Sequence, residues 1–165
     1  SGPVTLSAPS GVKVINVEST DDMFQAVKGH MDADIGIFTA AVSDFTVKHP
    51  ESNKIKKQRG QVPSIELTET TDILKHVGHN SESMYVVGFA AETHDVKNYA
   101  LGKLESKQAD AIIMNDVSDP SIGMNSDENE VTILFKDQTE VHFERDTKAQ
   151  IANNIAESLK DRVKK

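Results

Sequence analysis

The sequence predicts an α/β fold, a mostly parallel sheet flanked by helices with an antiparallel hairpin at one edge, on three observations. Short β-branched apolar runs alternate with segments of helical period along the 165 residues, as in strands joined by crossover helices. Two runs, Tyr85-Val86-Val87-Gly88-Phe89 and Ala111-Ile112-Ile113-Met114, are continuously apolar, as strands covered on both faces are. Residues 131–135 and 140–143 alternate around Lys136-Asp137-Gln138, a spacing that closes a hairpin rather than a crossover.

Taken in order, Val12-Lys13-Val14-Ile15-Asn16-Val17 reads as the first strand. Thr20 is the expected cap of a helix with Asp21 and Asp22 in its first turn, where carboxylates meet the positive end of the dipole, and with Met23 and Val27 on one face. A turn near Gly29 leads to a strand at Asp34-Ile35-Gly36-Ile37-Phe38. Residues 46–63, punctuated by Pro50, Gly60 and Pro63, read as a long polar loop, a length that often marks a functional lid. Ile65-Glu66-Leu67 reads as a short strand, and Thr70 or Thr71 as the cap of a helix through Ile73, Leu74 and Val77. Residues 92–108 follow as a helix weakened at Gly102, and a turn-rich stretch covers 115–129. Asp146 is the expected cap of the last helix, which carries Ile151, Ile155, Leu159 and Val163 on one face. No repeat or second domain is evident, so residues 1–165 read as one domain.

The formal charge is −8, which sets aside a general nucleic-acid binder, since a polyanion is held by clustered cations. No apolar run approaches the length a bilayer needs, and Ser1-Gly2-Pro3-Val4 has neither the basic nor the apolar part of a leader. A cytoplasmic domain is the expectation. The absence of Cys removes disulfides, thiolate metal sites and thiol nucleophiles together. Charge is unevenly spread: Lys48, Lys54, Lys56, Lys57 and Arg59 face only Glu51 between residues 48 and 60, a local balance of +4 that leaves −12 elsewhere. A positive island on an acidic body suits a compact anion, and a solvated loop reads the same way.

In an open parallel sheet ligands bind beyond the carboxyl ends of the strands. The segments there are Thr39-Ala40-Ala41-Val42-Ser43-Asp44-Phe45, Gly88-Phe89-Ala90-Ala91-Glu92-Thr93 and Asn115-Asp116-Val117. Small residues let a backbone approach a flat ligand closely, and Asp44 suits a divalent cation held against phosphates; tight packing plus a helix cap is the equal alternative. Lys54-Ile55-Lys56-Lys57 in a loop suits a lid over a triphosphate, and Lys103 and Lys107, one helical turn apart, share a face. No G-x-G-x-x-G, Walker A or G-x-S-x-G pattern is present. The six His are scattered; His30, His49, His94 and His142 read as surface or boundary residues, and no zinc site is expected.

These segments, in this order and spacing and with Asp72-Ile73-Leu74 between them, resemble phosphopantothenoylcysteine synthetase, usually the C-terminal half of a bacterial bifunctional coenzyme A biosynthesis protein. The similarity covers essentially the whole chain. It implies a Rossmann-like sheet and a CTP-dependent ligase that joins 4′-phosphopantothenate to L-cysteine through an acyl-cytidylate, with Mg2+ accompanying CTP and FMN confined to the decarboxylase half. It further implies a cytidine site lined by Phe38, Thr39 and Ala40, Asp44 beside the triphosphate and its cation, and Lys54 as the catalytic lysine of a flap over residues 46–63. Thr71, Asp72, Ile73, Leu74, Phe89, Lys103 and Lys107 would complete the nucleotide pocket.

The chain departs from the family pattern at Thr70-Thr71, where Asn-Pro is common, and mildly at Ser43 and Phe45. The family's Gly-rich strand, loop and helix are not found ahead of the matched segments, so a shortened synthetase domain, weakly active or inactive alone, is expected. A homodimer is implied, with the hairpin around Lys136-Asp137-Gln138 as a plausible pairing edge. The alternatives are a dinucleotide-binding domain of the same architecture and a non-catalytic interaction domain docking an acidic partner on the lysine island.

Overall fold

The computed structural model describes residues 1–56, 64–92, 95–116 and 126–163, and of Glu92 and Asp116 the backbone only. The elements in chain order are α1 (Thr20–Lys28), β1 (Ile35–Phe38), β2 (Phe45–Val47), β3 (Leu67–Glu69), α2 (Ile73–Asn80), β4 (Tyr85–Glu92), α3 (Val96–Lys107), β5 (Ala111–Asp116), β6 (Glu128–Phe135), β7 (Glu140–Thr147) and α4 (Lys148–Val163). They divide into two compact units, residues 1–29 with 40–72 and residues 30–39 with 73–165.

In the first unit α1 is started by Ser19, one residue ahead of the expected cap. The Ser19 hydroxyl accepts the Asp22 amide while the Asp22 carboxylate accepts the Ser19 amide, so two orphan donors of the first turn are satisfied reciprocally. The Ser19 hydroxyl, and after it the Ser19 and Glu18 amides, hold the Asp22 carboxyl below its ordinary pKa. Residues 12–17 are not a strand. The Ser1 ammonium donates to the Ile15 carbonyl at 2.7 Å and the Val17 amide to the Ser1 carbonyl at 2.9 Å, but no ladder forms. Val12, Val14 and Ile15 stay exposed. β-branched residues favour a strand only where a neighbouring strand offers a surface to pack on, which is why the local signal fails.

The long polar stretch begins with order rather than a loop. β2 pairs antiparallel with β3, Phe45 opposite Glu69 and Val47 opposite Leu67. The Lys48 amide donates to the Glu66 carbonyl at 2.9 Å, and the Lys48 ammonium pairs with the Glu66 carboxylate. Residues 57–63 of the expected flap, with Lys57 and Arg59, lie outside the described residues.

The second unit is built on a five-stranded sheet of order β1-β4-β5-β6-β7. β1, β4 and β5 are parallel, and β6 and β7 extend them antiparallel, as the continuous apolar runs and the hairpin spacing predict. One face buries Val87, Ile113, Ile133 and Phe135 against Ile151, Ile155 and Leu159 of α4. Alternate residues serve the other face, where Gly88 lies under Leu74 of α2 and beside Ile112. β4 runs on to Glu92, so α3 starts four residues later than expected, after Asp95 in the left-handed region at φ 47°. β7 likewise absorbs Asp146, and the Thr147 hydroxyl rather than Asp146 accepts the Gln150 amide at the start of α4.

The hairpin turn is tied to α4. Arg162 donates to Asp137 at 2.6 Å and to the Thr139 hydroxyl at 2.8 Å while its guanidinium lies 4.1 Å from the centre of the Phe135 ring. Thr139, by hydroxyl and amide, and then Arg162 lower the Asp137 pKa to about 2. Its ordinary value is 3.8, so this group contributes stability above about pH 4 that is lost as pH falls towards 2. Melting curves of the chain and of Asp137→Asn should therefore differ at neutral pH and converge below pH 4; a constant gap down to pH 2 would refute the link.

Candidate functional site

The first unit contains a cleft of ≈ 730 Å³, within the range of small-molecule sites. Met23 and Phe45 supply apolar wall, and Ala40, Ser43, Thr70 and Thr71 bring small and hydroxyl-bearing residues to it. The turn after β1 is held to the end of β3 here. The Thr70 amide donates to the Asp44 carbonyl at 2.9 Å and the Thr70 hydroxyl to the Ser43 carbonyl, while the Ser43 hydroxyl donates to the Phe45 carbonyl at 2.7 Å. Thr70 thus does structural work that an Asn-Pro step at this position would do differently. The sequence marks Ser43 and Thr70 only as departures from the family pattern and Thr70 as a possible cap; their pairing is not legible there because it joins residues 27 apart.

Of the residues expected in the site, Ala40 and Thr71 line this cleft, and Asp44 lies in the turn beside it with an exposed side chain. A single exposed carboxylate fits the way Mg2+ is held, by one or two carboxylates together with substrate phosphates and water. The lysine island is smaller than its sequence suggests. Lys48 is neutralised by Glu66, whereas Lys54 and Lys56 are exposed and have no ion-pair partner among the described residues.

In the second unit β1 ends beside the middle of β4, Phe38 opposite Gly88, and β4 runs on to Glu92. Phe38 is half-buried and Thr39, which follows it, is exposed. Phe89 is half-buried on the α4 face of the sheet, whereas Leu74 packs on the opposite face over Gly88. Ile73 is 5% exposed, so its side chain belongs to the core and only backbone groups at the start of α2 are available to a ligand. Asp72 is exposed one residue before that helix.

Lys103 and Lys107 share a face of α3 as expected. α3 descends from the carboxyl end of β4, and its last residue lies against α2, where the Lys107 carbonyl fills the space a side chain at Gly78 would need. Lys107 therefore sits where the chain enters the amino end of β5, a full helix length from the strand ends. At the carboxyl end of β5, the Asn115 side-chain oxygen is buried and has no hydrogen-bond partner among the described residues. Thr93 and Val117, which close two of the motifs, lie outside the described residues.

Three parallel strands with helices in the crossovers, extended by an antiparallel hairpin, put the second unit in the α/β class. Within that class, the chain belongs to the family of DNA/pantothenate metabolism flavoprotein C-terminal domains, whose model matches residues 1–163. It is 48% identical over 139 residues to the coenzyme A biosynthesis bifunctional protein CoaBC of Bacillus subtilis, covering 83% of this chain and 34% of that protein. It is 37% identical over 164 residues to the CoaBC of Vibrio parahaemolyticus, covering 98% of this chain and 41% of that protein. The chain thus spans between a third and about two fifths of the length of these relatives. A crystal structure of the C-terminal domain of CoaBC superposes with a TM-score of 0.80 at 34% identity, covering 98% of this chain and 71% of that one. Among the described residues, no helix is long and apolar enough to cross a membrane.

Proposed function

We propose that this chain is the phosphopantothenoylcysteine synthetase part of a coenzyme A biosynthesis protein. The observation that carries the reading is the family match over residues 1–163, joined to the likeness to the CoaBC C-terminal domain. In this reaction the carboxylate of 4′-phosphopantothenate attacks the α-phosphate of CTP and releases pyrophosphate. The cysteine amine then attacks the acyl carbon, and CMP leaves as the amide forms and a proton is lost.

Such chemistry asks a protein for positioning and charge stabilisation rather than for a nucleophile, and a chain without Cys supplies what it needs. Thr39 and Ala40 would place the base, Lys54 would meet charge on the triphosphate, and Asp44 would share a Mg2+ ion with the phosphates. The ion's part is to neutralise phosphate charge. Phe89, Lys103 and Lys107 enter by the family resemblance, and the position of Lys107 calls for a long reach or a second copy of the chain. Self-association through β7, which among the described residues pairs only with β6, belongs to the same reading. A flavin belongs to the other half of the bifunctional relatives. In the presence of Mg2+, CTP should raise the melting temperature of the chain well beyond ATP or NAD; equal shifts, or none, would overturn the nucleotide assignment.

A further inference from the structure

The outer face of the β6–β7 hairpin gathers three metal-ligating side chains from its two strands, Glu130 from β6 and His142 and Glu144 from β7. Thr132 and His142 are direct cross-strand partners. Glu130 precedes Thr132 by two residues and Glu144 follows His142 by two, so the pleat projects all four side chains from one face. The donor atoms of Glu130, His142 and Glu144 all lie within 4.8 Å of one another. This face is opposite the one on which Val131, Ile133, Val141 and Phe143 join the α4 core, so none of the three is committed to packing there.

Two features separate this group from ordinary surface carboxylates. The other glutamates of the hairpin are neutralised, Glu128 by Arg145 at 2.6 Å and Glu140 by Lys97 at 2.6 Å, whereas Glu130 and Glu144 have no Lys or Arg partner among the described residues. Among the described residues their only ionic neighbour is the imidazole between them. Second, that imidazole is held from behind, its Nδ1 lying 2.9 Å from the Thr132 hydroxyl. Its Nε2 faces the carboxylates at 3.7 Å and 3.6 Å, too far for hydrogen bonds. With Nδ1–H donated to Thr132 and Nε2 unprotonated, three lone pairs face one point, and a proton or a metal ion on Nε2 relieves their repulsion. An oxygen on the far ring nitrogen is the usual support of a metal-bound histidine.

We propose that Glu130, His142 and Glu144 bind one divalent transition-metal ion, with zinc as the best fit, and so clamp β6 to β7. Ligands about 2.1 Å from a tetrahedral zinc stand about 3.4 Å apart, so small rotations of exposed side chains bring the observed donors into place. A fourth position stays open to water. An imidazole with two carboxylates selects zinc-like ions over Mg2+, which prefers oxygen ligands alone. The inference does not depend on the synthetase reading, because its residues and its ion are different.

Calorimetric titration of the chain with Zn2+ alone should give one site per chain, with a rise in melting temperature that Mg2+ does not reproduce. His142→Ala and Glu144→Gln should each abolish that site while melting near the parent value without metal. Thr132→Val should fold and bind about tenfold more weakly, the loss typical of a second-layer partner. Absence of binding in the parent chain would overturn the proposal, and so would binding that survives His142→Ala, which would place the ion on other histidines.

Discussion

Gly78→Ala is expected to destabilise the chain by about 3 kcal/mol or more, at or above the upper end of overpacking changes. A Cβ at Gly78 would overlap the Lys107 carbonyl oxygen and lie 3.1 Å from that of Gln108. Both obstacles are backbone, so no side-chain rotation relieves them. The backbone there is itself pinned: Gln108 turns through the left-handed region at φ 51°, and the Ala109 amide donates to Leu104 at 3.2 Å. The Asp110 amide donates to the Val86 carbonyl at 2.8 Å. Moving the end of α3 away from α2 would therefore drag the start of β5 from β4. Typical domains hold only about 5–15 kcal/mol in all, so the midpoint of urea unfolding should fall sharply with an unchanged slope. Gly102→Ala is the control, since nothing lies within 4 Å of its Cβ; in an exposed helix it should gain about 0.5–1 kcal/mol. A Gly78→Ala midpoint equal to that of the parent would show that the helices part freely.

Lys54→Gln in the full-length protein is expected to lower CTP-driven ligation by about 10²–10³-fold, the usual cost of losing one preorganised group that meets developing charge. Lys54 is exposed and uncompensated among the described residues, so its removal should leave the melting temperature unchanged. Lys48→Gln is the informative partner. Its ammonium already pairs with Glu66 and pins β2 to β3, so that substitution should leave turnover near normal. Near-normal turnover in Lys54→Gln, or equal losses in the two variants, would remove Lys54 from the mechanism while leaving the fold assignment untouched.

The parallel core and the edge hairpin were legible because their signals are strong and local. Val87 and Ile113 belong to runs with no polar residue to face solvent, and residues 131–135 and 140–143 alternate around a short turn. Element boundaries were less legible. Glu92 reads as a helix residue and is the last residue of β4, because pairing with β5, Glu92 opposite Asp116, extends the strand beyond its apolar part. The strand expected over residues 12–17 failed for the converse reason: the pattern was right for a strand, but no strand among the described residues pairs with it. The motif residues of the candidate site could be found by order and spacing. Their division between the two faces of the sheet could not, since it depends on which helix covers Gly88 and which covers Ile113.

By itself, the sequence determined the fold class, the family and a lysine-bearing segment after the first small-residue turn, because apolar periodicity and motif order are properties of a line of residues. Only the tertiary structure decided which of those charges remain available. Glu66 lies 18 residues from Lys48 and neutralises it, leaving Lys54 and Lys56 as the available cations among the island's described residues. The same holds for His142, which reads as an ordinary surface histidine until the hairpin register sets it beside Glu130 and Glu144. Electrostatic contacts act through space over a few ångströms, and it is the pairing of strands, not the spacing along the chain, that brings such groups within that reach.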